Sequence, residues 1–310
     1  MPTKLDPIGL AQYKISKVIK MTKDNDAEYS LDNDDLFGQI SSDDMNYSAE
    51  DTDLDDVQPP HVEILFEDDH IVAIHKPAGL LVHRSYLARR ERFFAMQMTR
   101  DLVGCHVFPV HRLDRPTSGV LLFAKSSEVA RALCEQFADH SIKKQYLAII
   151  RGNMHESGRL DYALKQEFDD LGDKHVDPNK AAQQAVTDYQ PLLNAEIPFS
   201  SGRYPSSRFG LVRLSPHTGR KHQLRRHMAH LRHPIVGDTT HGDGKQNKFF
   251  REHFGINRLW LIAKSLQFTH PVTQQPMHIE TELEAEWLDI FAAFGWDDDQ
   301  LSSMPSMLLS

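Results

Sequence analysis

From His61 onward, short apolar runs alternate with polar turns, and this pattern is typical of a folded domain that contains a sheet. Two apolar runs flank the polar letters EDDH within residues 61–77, so this segment predicts a strand, a tight turn and a second strand. Further short strands are predicted where apolar residues run together or alternate with polar ones. These segments are residues 120–124, 146–150, 186–189, 210–214 and 259–262.

Helices are predicted where apolar residues recur at helical spacing. One begins at the N-cap candidates Ser126 and Ser127, a second spans residues 222–231, and a third spans residues 283–294. Hairpins and long loops, rather than regular helices, link most of the strands. The pattern therefore predicts an α+β fold with a mixed, mostly antiparallel sheet flanked by helices and loops, not a doubly wound parallel sheet.

The N-terminal part of the chain has a different composition. Residues 24–56 are rich in Asp, Ser and Asn and contain few large apolar side chains, so they bury too little surface to offset the entropy of ordering. We therefore predict a disordered leader over residues 1–58, with a short helix within residues 5–20. A single folded domain is predicted for residues 59–298, and a C-terminal tail for residues 299–310.

The leader accounts for the whole net charge of the chain, which is −9 over 310 residues. Residues 1–60 hold five lysines and fourteen acidic residues, and the remainder holds 30 of each sign. Basic residues gather between residues 203 and 237, where no Asp or Glu stands: Arg203, Arg208, Arg213, Arg220, Lys221, Arg225, Arg226 and Arg232. Such a zone fits a polyanionic ligand, and an ordinary solvated surface is the alternative.

Composition also excludes several classes of protein. No apolar stretch approaches the roughly 20 residues that span a bilayer, and we find no secretory signal. Cys105 and Cys134 form no CxxC pair, so we expect a reducing cytoplasm. Neither a Walker loop nor GxGxxG is present, and we therefore expect no nucleotide cofactor.

Asp114 is the first candidate for chemistry, within the motif HRLDRPTSG. It stands between Arg112 and Arg115 just before a predicted buried strand, and two adjacent cations favour the ionised carboxylate. An ionised, partly desolvated carboxylate can act as a nucleophile or a base. A structural ion pair explains the same cluster equally well. The residues alone therefore leave both interpretations open, the catalytic carboxylate and the structural ion pair.

Two further motifs carry candidate residues. Tyr146 leads the apolar strand of KKQYLAIIRG and is either a core residue or part of a site. In TGRKHQLRRH, a glycine loop precedes a helix with Arg225 and Arg226, which suits phosphate binding or an exposed basic face. The histidines at 222, 227, 230 and 233 lack a neighbouring carboxylate and HExxH spacing, so no metal site is expected.

These strings together resemble the RluA-type family of pseudouridine synthases. HRLDRPTSGVLLFAKS is similar to the family's aspartate motif, and KPAGLLVH to its early strand-loop motif. KKQYLAIIRG and TGRKHQLRRHMAHLRHPIVGD are similar to its tyrosine and arginine motifs. The four motifs occur in the family's order and cover most of residues 61–270. GRYPSSRFGLV and the double arginine are closest to members that modify uridine 65 of tRNA.

The resemblance implies roles for individual residues. Asp114 would be the nucleophile, Arg112 would displace the target base from its stack, and Tyr146 would pack on the uracil and assist at C5. Arg225 would form an ion pair with Asp114. The other basic residues of the motifs would contact RNA: Arg115, Arg220, Lys221 and Arg226.

The implied reaction isomerises uridine by breaking the N1–C1′ bond, turning the uracil and joining C5 to C1′. No redox change occurs, so no cofactor or metal is expected; the expected partner is tRNA, and the expected state is a cytoplasmic monomer. The aspartate could attack C1′, as in glycosidases, or remove a proton from C2′. A ribosomal RNA substrate and a non-catalytic RNA-binding protein are the alternatives.

Overall fold

The structure is a computed structural model that describes residues 58–84, 91–166, 181–202 and 204–296. The predictions for the leader, its helix and the C-terminal tail concern residues that lie outside these ranges, apart from Gln58. The candidate site residues of the motifs lie inside the ranges, whereas Arg203 of the basic zone lies outside them.

Strands and helices follow one another along the described residues. The strands are β1 (Glu63–Glu67), β2 (Ile71–Lys76), β3 (Phe108–Pro109), β4 (Ser118–Ala124), β5 (Lys143–Arg151), β6 (Gly158–Asp161), β7 (Val186–Ile197), β8 (Ser207–Pro216), β9 (Leu261–Thr269) and β10 (Pro276–Glu280). The helices are α1 (Ala95–Val103), α2 (Ser127–Ala138), α3 (Gln223–His230), α4 (Gly244–Phe254) and α5 (Ala285–Phe294). None of these helices has the length and apolar character that a membrane span requires.

The strands form one sheet in the order β1-β2-β4-β9-β5-β8-β7-β6, with β3 beside β4 and β10 beside β9. Strands β4 and β9 pair in parallel, whereas the other pairs among the described strands are antiparallel. The predicted α+β fold with a mixed, mostly antiparallel sheet is therefore confirmed.

The parallel pair β4–β9 joins the two halves of the sheet, and it depends on a glycine. Gly119 has a φ of 108°, and a Cβ added there would lie 2.2 Å from the carbonyl oxygen of Ala263. Only glycine allows so close an approach of two backbones. Gly119 therefore stands inside β4 at the point where this strand pairs with β9.

The two faces of the central strand β5 pack on different layers, because successive side chains of a strand point to opposite faces. Leu147 and Ile149 join an aromatic layer that includes Trp260. Ala148 and Ile150 face the layer that holds the apolar residues of α3. Tyr146 contacts this second layer and also the cluster around Leu113. The sheet thus brings the aspartate motif, the tyrosine strand and α3 to one face.

Pairing lengthens several predicted strands beyond their apolar centres. Strand β7 begins at Val186 as predicted but extends to Ile197, and β9 begins at Leu261 and extends to Thr269, later than the prediction of residues 259–262. The residues beyond the predicted segments mix polar and apolar side chains, so apolar runs alone marked only part of each strand. Hydrogen bonds to neighbouring strands define the rest.

Helices α1 and α4 were missed, and α3 and α5 were predicted to within two residues. The signals for α4 are at its ends: Asp243 caps the N-terminus by accepting from the amides of Lys245 and Gln246, and Gly255 adopts the left-handed C-cap conformation. Because its sequence GKQNKFFREHF carries few apolar residues, periodicity did not reveal it.

Candidate active site

Asp114 lies in the loop between β3 and β4, in a turn closed by a hydrogen bond from the amide of Thr117 to the Asp114 carbonyl oxygen at 3.0 Å. Its neighbour Leu113 is buried and anchors the loop to the core. The Asp114 side chain keeps 24% of its surface exposed. The carboxylate is therefore fixed at its base and still accessible to a ligand.

Arg225 on α3 connects Asp114 to a second carboxylate. Its Nη1 lies 3.5 Å from Oδ2 of Asp114, while Nε and Nη2 donate to Oδ2 and Oδ1 of Asp238 at 2.8 and 2.7 Å. The side chain is only 5% exposed. Burial lowers the pKa of Arg225, but the hydrogen bonds to Asp238 and the charge of Asp114 outweigh this and raise it. Arg225 is thus a fixed, permanently charged partner of Asp114.

Asp238 is a site residue that sequence reasoning did not single out. Its buried carboxylate also accepts from the amides of Thr240 and His241 at 2.9 and 3.0 Å. Burial raises the pKa of Asp238, but the bonds from Arg225 and His241 outweigh it, so the pKa lies below its ordinary value. Asp238 therefore holds Arg225 in place. The sequence signal was slight: a Gly-Asp pair at the end of PIVGD.

Lys76, the first residue of KPAGLLVH, lies fully buried beneath the Asp114 loop. Its Nζ donates to the carbonyl oxygens of Pro77, Leu80 and Arg115 at 3.0, 2.8 and 3.1 Å. Burial lowers its pKa to about 7, although the negative charge of Asp114 opposes this shift. Through Arg115, Lys76 ties the early strand-loop motif to the aspartate motif.

The two arginines beside Asp114 in the sequence are oriented differently from Arg225. Nη2 of Arg115 lies 2.7 Å from Oε1 of Glu91, and its Nε donates to the carbonyl oxygen of Gly79 at 3.0 Å. Arg112 is exposed, and its charge adds to burial in lowering the pKa of His83. Arg225, which comes from a distant helix, contacts the Asp114 carboxylate.

Tyr146 is half-buried on β5 in the neighbourhood of Asp114. Burial raises the pKa of its hydroxyl, and the negative charge of Asp114 raises it further. The phenol therefore stays protonated at neutral pH, and it can donate a hydrogen bond more readily than it can remove a proton.

The remaining basic candidates form a rim beside α3. Nη1 of Arg226 donates to the carbonyl oxygen of Lys165 at 2.8 Å, and Nε of Arg220 donates to that of Gln184 at 3.1 Å. Lys221 is half-buried in the same loop. Arg226 thus points toward the segment that follows β6, whereas its neighbour Arg225 points toward Asp114.

The four histidines considered for a metal site have different partners. His222 pairs with His241, the His227 ring contacts Thr187, His230 stacks on Tyr162, and the His233 ring contacts the Arg151 carbonyl oxygen. Within the part of the chain that the structure describes, no three His, Cys, Asp or Glu side chains are grouped as metal ligands.

Known proteins are similar in sequence to this chain over most of its length. Residues 70–230 match the family model described as RNA pseudouridylate synthase. A protein of Vibrio parahaemolyticus named tRNA pseudouridine synthase C is 54% identical over 241 residues, which cover 78% of this chain and 98% of that protein. The Vibrio vulnificus protein of the same name is 55% identical, with coverage of 78% and 99%.

Solved structures share the fold. Human RNA Pseudouridylate Synthase Domain Containing 4 has a TM-score of 0.56 and 26% identity, covering 75% of this chain and 93% of that chain. Human RNA Pseudouridylate Synthase Domain Containing 1 has the same TM-score at 21% identity, with coverage of 73% and 86%.

Proposed function

The chain belongs to the RNA pseudouridylate synthase family, and on that premise we propose that it isomerises uridine 65 of tRNA to pseudouridine with Asp114 as the reacting group. The observation that carries the assignment is the Asp114–Arg225–Asp238 arrangement. An accessible carboxylate faces a buried arginine whose other donors are occupied by a second carboxylate. The tRNA substrate is suggested by the names of the relatives that are 54–55% identical.

Asp114 performs the chemistry in its ionised form, whichever route the reaction takes. It either attacks C1′ of the ribose or removes the proton from C2′, and both steps consume the carboxylate's negative charge. Arg225 places its positive charge beside the Asp114 carboxylate before the step. Overall, the uracil loses a proton from C5 and gains one at N1, so the site must also move a proton without any change of oxidation state.

The target base has to leave its stack before it can reach Asp114. Arg112 is exposed two residues from Asp114, so its side chain can fill the space that the base leaves. Arg115, Arg220, Lys221 and Arg226 supply positive charge for the RNA backbone around this point. We further propose that the protein works as a monomer in the cytoplasm, where tRNA is modified.

The proposal is tested by mapping pseudouridine in tRNA and ribosomal RNA from a strain that lacks this protein, with and without the gene restored. We expect the modification at tRNA position 65 to disappear and to return on restoration. A loss confined to ribosomal RNA would contradict the tRNA assignment, and an unchanged map in both RNAs would contradict the activity in the cell.

Arg225→Ala and Arg226→Ala should affect different steps, because adjacent helix positions point about 100° apart. We expect Arg225→Ala to lower the single-turnover rate by at least about 100-fold, since Asp114 loses its cation. Arg226→Ala should mainly weaken tRNA binding and its salt dependence. Single-turnover rates and tRNA affinities measured for both variants test this expectation. If the two variants lost equal amounts of rate and equal amounts of affinity, the division of roles would be contradicted.

Tyr146→Phe should slow the reaction by at least about tenfold in single turnover, because the protonated hydroxyl no longer donates near Asp114. Tyr146→Ala should be slower still, since the aromatic ring that packs on the uracil is also lost. Comparison with the melting temperatures separates chemistry from packing. A Phe variant with the wild-type rate would restrict Tyr146 to stacking, and an active Ala variant would place it outside the site.

Deletion of residues 1–58 should leave the melting temperature and the activity unchanged and tighten tRNA binding severalfold. The leader holds the whole net charge of −9 and repels a polyanion. The gain should be largest at low salt, because exposed charges are screened within about 10 Å at 0.1 M. A full-length variant with neutralised leader carboxylates is the matched control. Equal affinities at two salt concentrations would show an inert leader, and a truncated protein that fails to fold would show that the leader packs on the domain.

A further inference from the structure

A pair of histidines completes a ring of polar side chains around Asp114. Nε2 of His222 lies 4.0 Å from Oδ2 of Asp114, and Nδ1 of His222 lies 3.1 Å from Nε2 of His241. The amide of His241 donates to Oδ1 of Asp238 at 3.0 Å, and Asp238 holds Arg225, which contacts Asp114. The ring thus runs from Asp114 through both histidines and Asp238 to Arg225.

The backbone directs His222 into this ring. His222 immediately precedes α3 and has a φ of 54°. This value lies in the left-handed region, which residues other than glycine rarely adopt. Residues with this conformation are concentrated at functional sites, where the surrounding structure holds them in place. Here the conformation allows the imidazole to face Asp114 while Arg225, three residues later, faces the same carboxylate.

The contact between the two rings requires one proton between Nδ1 of His222 and Nε2 of His241. If His222 carried it, the lone pair on its Nε2 would face the negative carboxylate of Asp114. If His241 carries it, the proton of His222 is on Nε2 and points at Asp114. Electrostatics therefore favours the second arrangement, in which His241 donates to His222 and His222 points its N–H at Asp114.

We infer that His222 and His241 are positioning residues for Asp114, acting as a hydrogen-bonded pair that directs one N–H at its carboxylate. The inference rests on the proposed function, because it assumes that Asp114 is the reacting group. When the reaction consumes the charge of Asp114, the pair keeps the carboxyl group oriented while Arg225 remains on Asp238.

The test compares His241→Gln, which keeps an N–H donor, with His241→Phe, which removes it. The control is His278→Gln on β10. We expect His241→Phe to lower the single-turnover rate on tRNA by at least about tenfold. His241→Gln, which retains the donor, should keep the rate within about threefold of wild type.

A measurement without substrate separates this inference from the proposed function. Nitrogen-15 NMR of the histidine rings should show His222 and His241 both protonated on Nε2, with the His222 signal shifted in Asp114→Asn. The opposite tautomers, or a His241→Gln variant that is slowed by about tenfold or more, would overturn the inference. An unreactive tRNA combined with the expected tautomers would instead contradict only the proposed function. If His241→Phe does not fold, the Gln variant and the NMR spectra still decide.

Discussion

Asp114→Asn is expected to abolish pseudouridine formation, by at least about 10³-fold in single turnover, while tRNA binding stays nearly unchanged. The amide keeps the shape of the side chain and the backbone turn to Thr117, but it carries no charge with which to attack C1′ or remove a proton. Arg225 remains fixed by Asp238, so the pocket should persist. The lost contribution is therefore chemical rather than structural.

Three measurements check this result: the single-turnover rate, the tRNA dissociation constant and the melting temperature. Asp101→Asn is a suitable control, because Asp101 is exposed on α1 and pairs with Arg100 on the surface. A rate for Asp114→Asn within tenfold of wild type would refute the assignment of the reacting group. A large loss of binding would instead place Asp114 among the residues that recognise the RNA.

Asp238→Ala should have the second largest effect, and it should act on stability and activity together. The substitution leaves the guanidinium of Arg225 buried without its bidentate partner, and breaking such a buried pair costs about 3–5 kcal/mol. The amides of Thr240 and His241 lose their acceptor as well. Released from Asp238, Arg225 no longer presents Nη1 to Asp114, so the rate should fall even where the protein is folded.

Asp188 provides a matched control for Asp238. It also accepts two bonds from one arginine, Arg159, at 2.6 and 2.8 Å, but this pair is exposed to solvent. Asp188→Ala should therefore change stability little, because water screens the exposed charges. Urea unfolding of both variants, with rates measured below the transition, separates the two effects. Equal losses of unfolding free energy in the two variants would contradict the expectation that burial makes the Arg225–Asp238 pair more important for stability than the exposed pair.

Much of the fold and of the candidate site could be predicted from short stretches of sequence. The β1–β2 hairpin, the Ser126 cap of α2 and the position of α3 follow from local patterns, since turns, caps and apolar spacing act over a few residues. Asp114, Tyr146 and Arg225 were identified because each stands in a distinctive motif. Their spatial grouping was an expectation from the family resemblance, and the structure places Arg225 beside Asp114.

Only the tertiary structure decided which charges meet. The sequence places Arg112 and Arg115 beside Asp114, yet Arg115 pairs with Glu91, and Arg225 from α3 takes the position facing Asp114. Asp238 lies 13 residues beyond Arg225 and gave almost no local signal.

The physical reason is that side-chain partners are chosen by the packing of the sheet rather than by distance along the chain. The parallel pairing of β4 with β9 at Gly119 and the packing of α3 on β5 bring distant segments to one face of the sheet. Local patterns are set by neighbouring residues, so a sequence reveals them directly. The ring around Asp114 is set by contacts between distant segments, and it exists only once the sheet has assembled.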